Sequence, residues 1–461
     1  MKSLKALIIG GGLAILLPVS AQTIYLTTIG SFDGTNGAQT RAGLVEGTNG
    51  NFYGVGYTGG ANGLGTVFEL APGGPVTNLY NFTGGAYSAD PRSPLLLGRD
   101  GYFYGEMVGG GAGYGYVFRL SHAGQLTNFA SFDGFNGQTP LGGLMQGQDG
   151  NFYGACQQTG GNGSIFKITP DGVISNLFGF TGTTNGSMPV AGLVQATNGV
   201  LYGTTQQGGT NGNNGSIFKI TTNGVFTSLF SFNKTNGALP YATMVLGPDG
   251  NLYGTTESGG TNAFNNSGTI FRITPAGQFT SLVSFGGVTP PGSTVYGGLV
   301  LGTNGLLYGM TYGGGDGYGG TIFQMDTNGT LTTLYSFSEN DAFVYADGNW
   351  PEDTLVQGSD GNFYATTTSG GDYDKGTVFS FSLTPPVASA PVFQSVSQLD
   401  GTLTFTWSAV SNANYQVQYN TDLSSTNWLN LGSSVTASNT IASASESMTN
   451  SQCFYRIKLL P

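Results

Sequence analysis

The chain has 461 residues, of which only 8% are charged, and its net charge at pH 7 is −11. This acidic balance argues against binding to nucleic acid and to anionic lipid, because both require clustered Lys and Arg. The surface must instead consist largely of Asn, Thr, Ser, Gly and Tyr, which suits contact with neutral, hydroxyl-rich material.

Residues 1–21 have the pattern of a secretory signal peptide. Lys2 and Lys5 precede an apolar stretch that ends at Leu17, and the small residues Ser20 and Ala21 provide a cleavage site. The stretch is shorter than the ~20 residues that span a bilayer. We therefore expect an exported protein, extracellular or at the cell surface, that does not insert into the membrane. We also expect a monomer.

Seven tyrosines recur at nearly equal intervals, with steps of 51, 49, 49, 51, 55 and 56 residues. Each lies three residues after the glycine of an Asn-Gly or Asp-Gly pair. A repeat of this length decides the architecture before any single motif does. The seven are Tyr53, Tyr104, Tyr153, Tyr202, Tyr253, Tyr308 and Tyr364.

The third repeat shows the predicted unit of four short strands. Strand A covers 143–146, B covers 151–154, C covers 164–168 and D covers 174–180, with an Asp149-Gly150 hairpin between A and B. Strands B and C carry bulky residues on both faces, as expected of sheets that are covered on both sides. The sequence therefore predicts an all-β fold, a β-propeller with seven blades.

The last blade lacks its own strand D. The first six repeats end strand D in a Phe, but the seventh breaks at Pro385-Pro386. Residues 23–32 at the N-terminus match the strand-D pattern. We expect this N-terminal strand to complete the seventh blade, which closes a propeller of residues 22–385 and removes its open edges.

The recurrent piece Asp-Gly-Asn-Phe-Tyr-Gly, followed by Gly-Gly, Gly-Thr-Val-Phe and Leu-x-Ser-Phe, resembles the GloVer tandem repeat of exported bacterial proteins. Its first part also resembles the A–B hairpin of NHL-type propellers. The resemblance covers all seven repeats and implies an extracellular or surface propeller. It implies no catalytic residues.

A second composition zone follows the repeats. Residues 386–391 form a linker, and residues 392–461 contain strand-like alternation around Trp407. The segment resembles the fibronectin type III-like module of exported bacterial proteins, which implies a small β-sandwich with Trp407 in its core. Its expected role is spacing or attachment.

Few residues are available for metal or nucleophilic chemistry. The chain has one histidine, His122, and two cysteines, Cys156 and Cys453, which we expect to be unpaired. A Ser-His-Asp triad at the loops is excluded if His122 lies in the C–D turn on the opposite face. We expect no metal and no cofactor.

The variable B–C and D–A loops should share one face of the disc, which makes it the natural recognition surface. The D–A loop between Phe337 and Leu355 is the longest irregularity and is rich in acids and aromatics. Paired carboxylates there could cleave glycosides or bind calcium, or the loop could simply be solvated. The candidate binding residues are Tyr312, Tyr318, Asp341, Phe343, Tyr345, Asp347, Trp350, Asp372 and Tyr373.

Three functions fit this sequence. The first is a secreted or cell-surface propeller that binds neutral carbohydrate or another surface polymer through the B–C/D–A face. The second is a protein–protein scaffold or structural surface component. The third is a polysaccharide-cleaving enzyme that uses the acidic loop 338–353. We expect binding rather than catalysis, with a polysaccharide or a cell-surface protein as the partner.

Overall fold

The computed structural model describes residues 24–84, 91–110, 112–261, 267–286, 292–338, 345–383, 393–399, 402–409, 414–420, 428–437, 441–447 and 454–459. The predicted signal peptide, the linker and Cys453 lie outside these residues. The chain forms two compact units. One covers Leu26–Phe381, and the other combines Met1–Tyr25 with Ser382–Pro461.

The repeat region is built from β-strands. Its described residues form seven four-stranded antiparallel sheets and one single-turn 3-10 helix, Thr159–Gly161. The A strands are Val45–Glu46, Leu96–Leu97, Met145–Gln146, Val194–Gln195, Val245–Leu246, Val300–Leu301 and Val356–Gln357. The B strands are Phe52–Gly56, Phe103–Met107, Phe152–Cys156, Leu201–Thr205, Leu252–Thr256, Leu307–Thr311 and Phe363–Thr366.

The C and D strands complete each sheet in the order A-B-C-D. The C strands are Thr66–Leu70, Tyr116–Leu120, Ser164–Ile168, Ser216–Ile220, Thr269–Ile273, Thr321–Met325 and Thr377–Ser382. The first six D strands are Val76–Asn81, Leu126–Ser131, Ile174–Gly179, Phe226–Ser231, Phe279–Ser284 and Leu331–Ser336.

The seventh sheet is completed from the other end of the chain, which confirms the predicted closure. Its outer strand, Tyr25–Ser31, pairs with Thr377–Ser382. The seventh sheet also packs on the first, because the ring of Phe52 stacks on Tyr364 with centroids 3.9 Å apart. A set of four-stranded sheets that pack in sequence and return to the first is a β-propeller.

The strands of the third repeat match the prediction in number and order. Strand C has the predicted bounds, but strand A is shortened to Met145–Gln146. Gly143 has φ +82°, in the left-handed region, so the chain enters the sheet only after it. Strand B continues to Cys156, which is buried and free.

The seven repeated tyrosines belong to the core, as predicted, with at most 3% of each side chain exposed. Their hydroxyl groups return to the A–B hairpin. Tyr153, for example, donates to Asp149 at 2.7 Å, and Tyr253 donates to Asp249 at 2.8 Å. Burial alone would raise the pKa of Asp249, but hydrogen bonds from Tyr253 and Asn251 hold it below its usual value.

The glycine after the tyrosine is required by close packing inside the sheet. A Cβ atom at Gly154 would lie 2.4 Å from the ring of Phe166, which is Gly154's direct partner on strand C. The Tyr-Gly pair therefore has a physical reason in the third repeat. The tyrosine fills the space between sheets, and the glycine makes room for the phenylalanine.

The C-terminal unit contains two small sheets. One consists of Phe393–Leu399, Thr402–Ser408 and Ile441–Ser447, and the other of Asn414–Asn420, Leu429–Asn430, Val435–Thr436 and Phe454–Leu459. Residues of both sheets share one apolar core. Trp407 is fully buried there, 6.0 Å from the ring of Tyr415, as the sequence predicts.

Candidate functional site

One equivalent residue from each of the seven sheets lines a single cavity. It is the residue three positions before the Leu or Met that precedes strand A, which is buried in six repeats and partly buried in the third. A cavity that touches all seven sheets must lie where they converge, at the axis of the propeller. We call it the axial cavity. It comprises two spaces that share most of their lining residues: one of about 230 Å³, which all seven residues line, and one of about 310 Å³, which Glu257 and six of the seven residues line. The axial residues are Arg41, Arg92, Leu141, Val190, Tyr241, Tyr296 and Glu352.

A repeated kink directs the chain towards this cavity. In the six repeats where it is described, the residue two positions before the axial residue has φ between 51° and 59°. None of the six is glycine, and two are β-branched threonines, for which this conformation is strained. Strain of this kind is often retained at ligand sites. The kink residues are Gln39, Thr139, Met188, Leu239, Thr294 and Trp350.

Hydrogen bonds hold each kink between two neighbouring sheets. The backbone N–H of Trp350 donates to Gly319 of the sixth sheet at 2.9 Å, while its carbonyl accepts from the Thr368 hydroxyl of the seventh at 2.8 Å. Thr294 repeats this pattern, since its N–H donates to Ser267 at 2.9 Å and its carbonyl accepts from Tyr312 at 2.8 Å. The kinks therefore fix the cavity wall across sheet boundaries.

One side of the axial cavity is cationic. The guanidinium carbons of Arg41 and Arg92 lie 4.8 Å and 5.2 Å from the centroid of the Tyr57 ring. Arg92 also donates from Nη2 to the Tyr57 hydroxyl at 3.2 Å. Arg41 forms an ion pair with Glu352, with 3.5 Å between Nε and Oε2. Two cations from adjacent sheets therefore converge on one aromatic ring.

An arc of four aromatic rings begins at Tyr241 and Tyr296, which line the cavity, and continues beyond the lining residues to Tyr312 and Trp350. Tyr241 meets Tyr296 edge to face, with centroids 6.3 Å apart, and Tyr296 meets Tyr312 in the same way at 5.2 Å. Tyr312 then stacks on Trp350 at 6.0 Å with an interplanar angle of 23°. The four rings come from three consecutive sheets and are neither fully buried nor scattered, so they form a continuous aromatic wall.

Two carboxylates flank the aromatic wall, and a third lies beside the cavity. Burial raises the pKa of Glu257, and it raises that of Glu352 although Arg41 opposes the shift. Asp353 is almost completely buried, which raises its pKa to about 8 despite hydrogen bonds from the Thr366 N–H and hydroxyl at 3.1 and 2.8 Å. All three acids can accept hydrogen bonds, and the raised pKa of Asp353 allows it to exchange protons near neutral pH.

The structure brings two of the predicted binding residues together. Tyr312 and Trp350 meet in the aromatic wall. Tyr318 and Tyr373 are 60% and 59% exposed on B–C loops. Asp372 is also exposed, and its N–H donates to the Ser31 hydroxyl on the outer strand of its sheet at 3.2 Å.

The remaining predicted residues serve their own loops or are not described. The Tyr345 hydroxyl donates to the carbonyl of Gly317 at 2.8 Å. Asp347 accepts a hydrogen bond from the Tyr335 hydroxyl. Asp341 and Phe343 lie outside the described residues. In the described part of the loop 338–353, Glu352 is the one acid that lines the axial cavity and reaches a cation.

The sequence prediction placed the site at the irregular loop and therefore missed both arginines and Glu257. A signal for them was present. When the seven repeats are aligned on the Leu or Met before strand A, the position three residues earlier varies between cationic, apolar, aromatic and acidic side chains. Variation at one position of an otherwise regular repeat indicates that packing does not determine the residue type there.

The described residues contain no group of three or more His, Cys, Asp or Glu side chains arranged to hold a metal ion. His122 lies in the C–D turn of the second sheet, as predicted, with its Nδ1 3.3 Å from the Tyr53 hydroxyl. Within the described part of the chain, no helix is long and apolar enough to cross a membrane.

Comparison with known proteins identifies a family. The model of the Gloeobacter/Verrucomicrobia repeat matches residues 12–213 and, in a second match, residues 195–420. These two matches together cover most of the chain. None of the curated proteins matches it.

Three solved structures resemble the chain at low sequence identity, one of them with a TM-score above 0.5. The extracellular domain of the two-component-system protein BT3049 from B. thetaiotaomicron is 11% identical with a TM-score of 0.51, and the match covers 93% of this chain and 56% of that one. A puromycin-hydrolysing peptidase of Mycobacterium tuberculosis is 12% identical with a TM-score of 0.49, over 82% of this chain and 58% of that one. The gluconolactonase XC5397 of Xanthomonas campestris is 12% identical with a TM-score of 0.38, over 61% and 82%.

Proposed function

Because the chain belongs to the Gloeobacter/Verrucomicrobia repeat family, we propose that it is an exported, carbohydrate-binding β-propeller whose axial cavity is the binding site. The observation that carries this proposal is the continuous wall of four aromatic rings beside hydrogen-bonding side chains. Aromatic faces stack on the apolar face of a sugar ring, while neighbouring polar groups bind its hydroxyls.

The dimensions of the cavity support a short saccharide segment. A volume of about 310 Å³ lies at the lower end of the range for small-ligand sites. A shallow site that binds one or two sugar residues typically contributes about 4 kcal/mol, which corresponds to millimolar affinity. A polymer would extend from the cavity past Trp350, whose ring is 40% exposed.

The architecture of the proposed protein follows from the same features. The seven sheets would be the seven blades of a ring formed by residues 22–385, with residues 392–461 as a fibronectin type III-like module for spacing or attachment. Export would follow removal of residues 1–21. N-terminal sequencing of the secreted protein should give Gln22 as the first residue; an intact Met1 would contradict the predicted export route.

The binding proposal is tested with two aromatic-wall variants and one matched control. Trp350→Ala and Tyr296→Ala should each weaken binding to an immobilised polysaccharide panel by roughly tenfold, since an aromatic contact is worth about 1–2 kcal/mol. Tyr373→Ala, which truncates an exposed ring outside the wall, should leave the affinity unchanged. Affinity electrophoresis or calorimetry measures the difference.

Two results would contradict the proposal. If no polysaccharide in the panel binds the wild-type protein, the carbohydrate function is wrong and a scaffold becomes the better explanation. If Trp350→Ala and Tyr373→Ala weaken binding equally, the saccharide occupies the outer loops and the axial cavity is not the site.

A further inference from the structure

The axial cavity concentrates charge in a protein that has little of it. The whole chain contains 13 basic and 24 acidic residues among 461. Four charged side chains nevertheless line this one cavity, and two of them are arginines. Packing does not require them, because Leu141 and Val190 fill the same structural position in the third and fourth sheets. The charges therefore suit a ligand better than they suit the fold.

The two arginines and Glu257 have different neighbours in the cavity. The two guanidinium groups each lie within 5.2 Å of the Tyr57 centroid, and Glu352 pairs with Arg41 there. Glu257 lines the cavity with Tyr241 and Tyr296, and burial is the largest cause of the raised pKa of both tyrosines, to which Glu352 and Glu257 add. A ligand in the cavity thus meets arginine N–H groups beside Glu352 and aromatic rings beside Glu257.

We propose that the axial cavity binds an acidic saccharide, with a carboxylate of the sugar at Arg41 and Arg92 and the sugar ring against Tyr296 and Tyr312. This inference rests on the carbohydrate-binding function proposed above and names its ligand class. A guanidinium group presents parallel N–H donors that match the two oxygens of a carboxylate. The expectation of a neutral ligand, drawn from overall composition, is replaced at this site.

The position of Glu352 orients the acidic group. Its carboxylate lies 3.5 Å from Arg41, so a ligand carboxylate placed next to Glu352 would be repelled. Arg92, on the adjacent sheet, places its guanidinium group over the same Tyr57 ring and donates to the Tyr57 hydroxyl. Arg92 is the better position for a test variant, because replacing Arg41 would also remove the ion pair with Glu352.

The test compares polysaccharides that differ only in charge. Binding of polygalacturonate should be at least tenfold tighter than binding of its fully methyl-esterified form, and should weaken as NaCl is raised because salt screens the charge interaction. Dextran sulfate and dextran form a second pair. Tighter binding of dextran sulfate than of polygalacturonate would overturn the assignment of a carboxylate.

Variants locate the effect. Arg92→Gln should weaken polygalacturonate binding about tenfold and weaken binding of the methyl ester much less, while Arg92→Lys should retain part of the affinity for polygalacturonate. Arg119→Gln is the control, because that arginine lies on strand C over Tyr102 and does not line the cavity.

The remaining outcomes separate the two proposals. Equal affinity for the acid and its ester, or equal losses of both in Arg92→Gln, would overturn the acidic-ligand inference while leaving carbohydrate binding intact. No binding of any of the four polymers, with a positive neutral polysaccharide elsewhere in the panel, would also reject the acidic class. No binding of any polysaccharide would reject both proposals.

Discussion

The tyrosines of strand B and the residues of the axial cavity each occupy one equivalent position per sheet, yet they vary in opposite ways. All seven strand-B positions are tyrosine, and all are buried between sheets. The seven axial positions hold five residue types, and several are partly exposed. Packing restricts the strand-B positions to tyrosine, because neighbouring sheets contact each side chain from both sides. The axial residues face a cavity, so their side chains can differ without disturbing the sheets.

The repeated sheets and the axial cavity are therefore under different constraints, although the same repeats form both. The kink before each axial residue links them. It is fixed by backbone hydrogen bonds to two sheets, whatever the side chain at the kink itself. The repeated backbone thus brings seven side chains to one cavity without restricting their residue types. Seven equivalent positions can therefore form one asymmetric cavity.

Removal of the strand that closes the propeller should reduce stability more than any other change considered below. Deleting residues 22–34 removes the outer strand of the seventh sheet, Tyr25–Ser31. The exposed edge of Thr377–Ser382 should then cause aggregation and loss of cooperative thermal unfolding. Calorimetry and light scattering check this. A truncated protein that melts with the wild-type midpoint would show that closure does not stabilise the ring.

The next prediction compares the stability of two variants, one at a strand-B tyrosine and one at an axial tyrosine. Tyr253→Ala should lower the free energy of unfolding by about 3–5 kcal/mol, because it leaves a cavity between sheets. Tyr296→Ala should lower it by about 1 kcal/mol or less, since its ring is only partly buried. Urea unfolding measures both. Similar losses in the two variants would contradict the division between frame and site.

A buried acid in the frame should give stability a particular pH dependence. Glu106 is fully buried between sheets, which raises its pKa to about 7 although the N–H of Gly143 donates to it at 2.8 Å. Its other carboxylate oxygen has no hydrogen-bond partner among the described residues. A carboxyl group whose pKa is raised on folding stabilises the protein below its unfolded pKa of 4.5 and loses that contribution as the pH rises through 7.

We expect Glu106→Gln to remove this dependence. Wild-type stability should fall by about 3 kcal/mol more than that of the variant between pH 4.5 and 8. Melting temperatures across this range provide the measurement, with the exposed acid Asp316 replaced by Asn as the control. Parallel curves for wild type and Glu106→Gln would show that folding does not shift the pKa of Glu106.

The smallest expected effect is the pH dependence of ligand affinity. Protonation of Glu257 and Glu352 would leave Arg41 and Arg92 less compensated, and burial brings the pKa of both acids closer to neutrality. Affinity for polygalacturonate should therefore rise a few-fold as the pH is lowered from 7 to 5, while the ligand stays ionised. Calorimetric titrations at the two pH values test this. In Glu352→Gln the rise should be smaller; an unchanged rise would exclude Glu352 as its source.

The sequence alone determined the frame of this protein. Tyrosine spacing, Asx-Gly hairpins and the missing seventh strand D predict the repeated sheets and their closure, because these features depend on local turn chemistry and on counting strands. The proposed site, by contrast, depends on the tertiary structure. Arg41, Arg92, Tyr241, Tyr296 and Glu352 are separated by up to 311 residues and become neighbours only when the sheets converge at the axis. The prediction favoured the irregular loop because loop length can be read from the sequence. The convergence of distant residues at the axis cannot be read from the sequence until the fold is known.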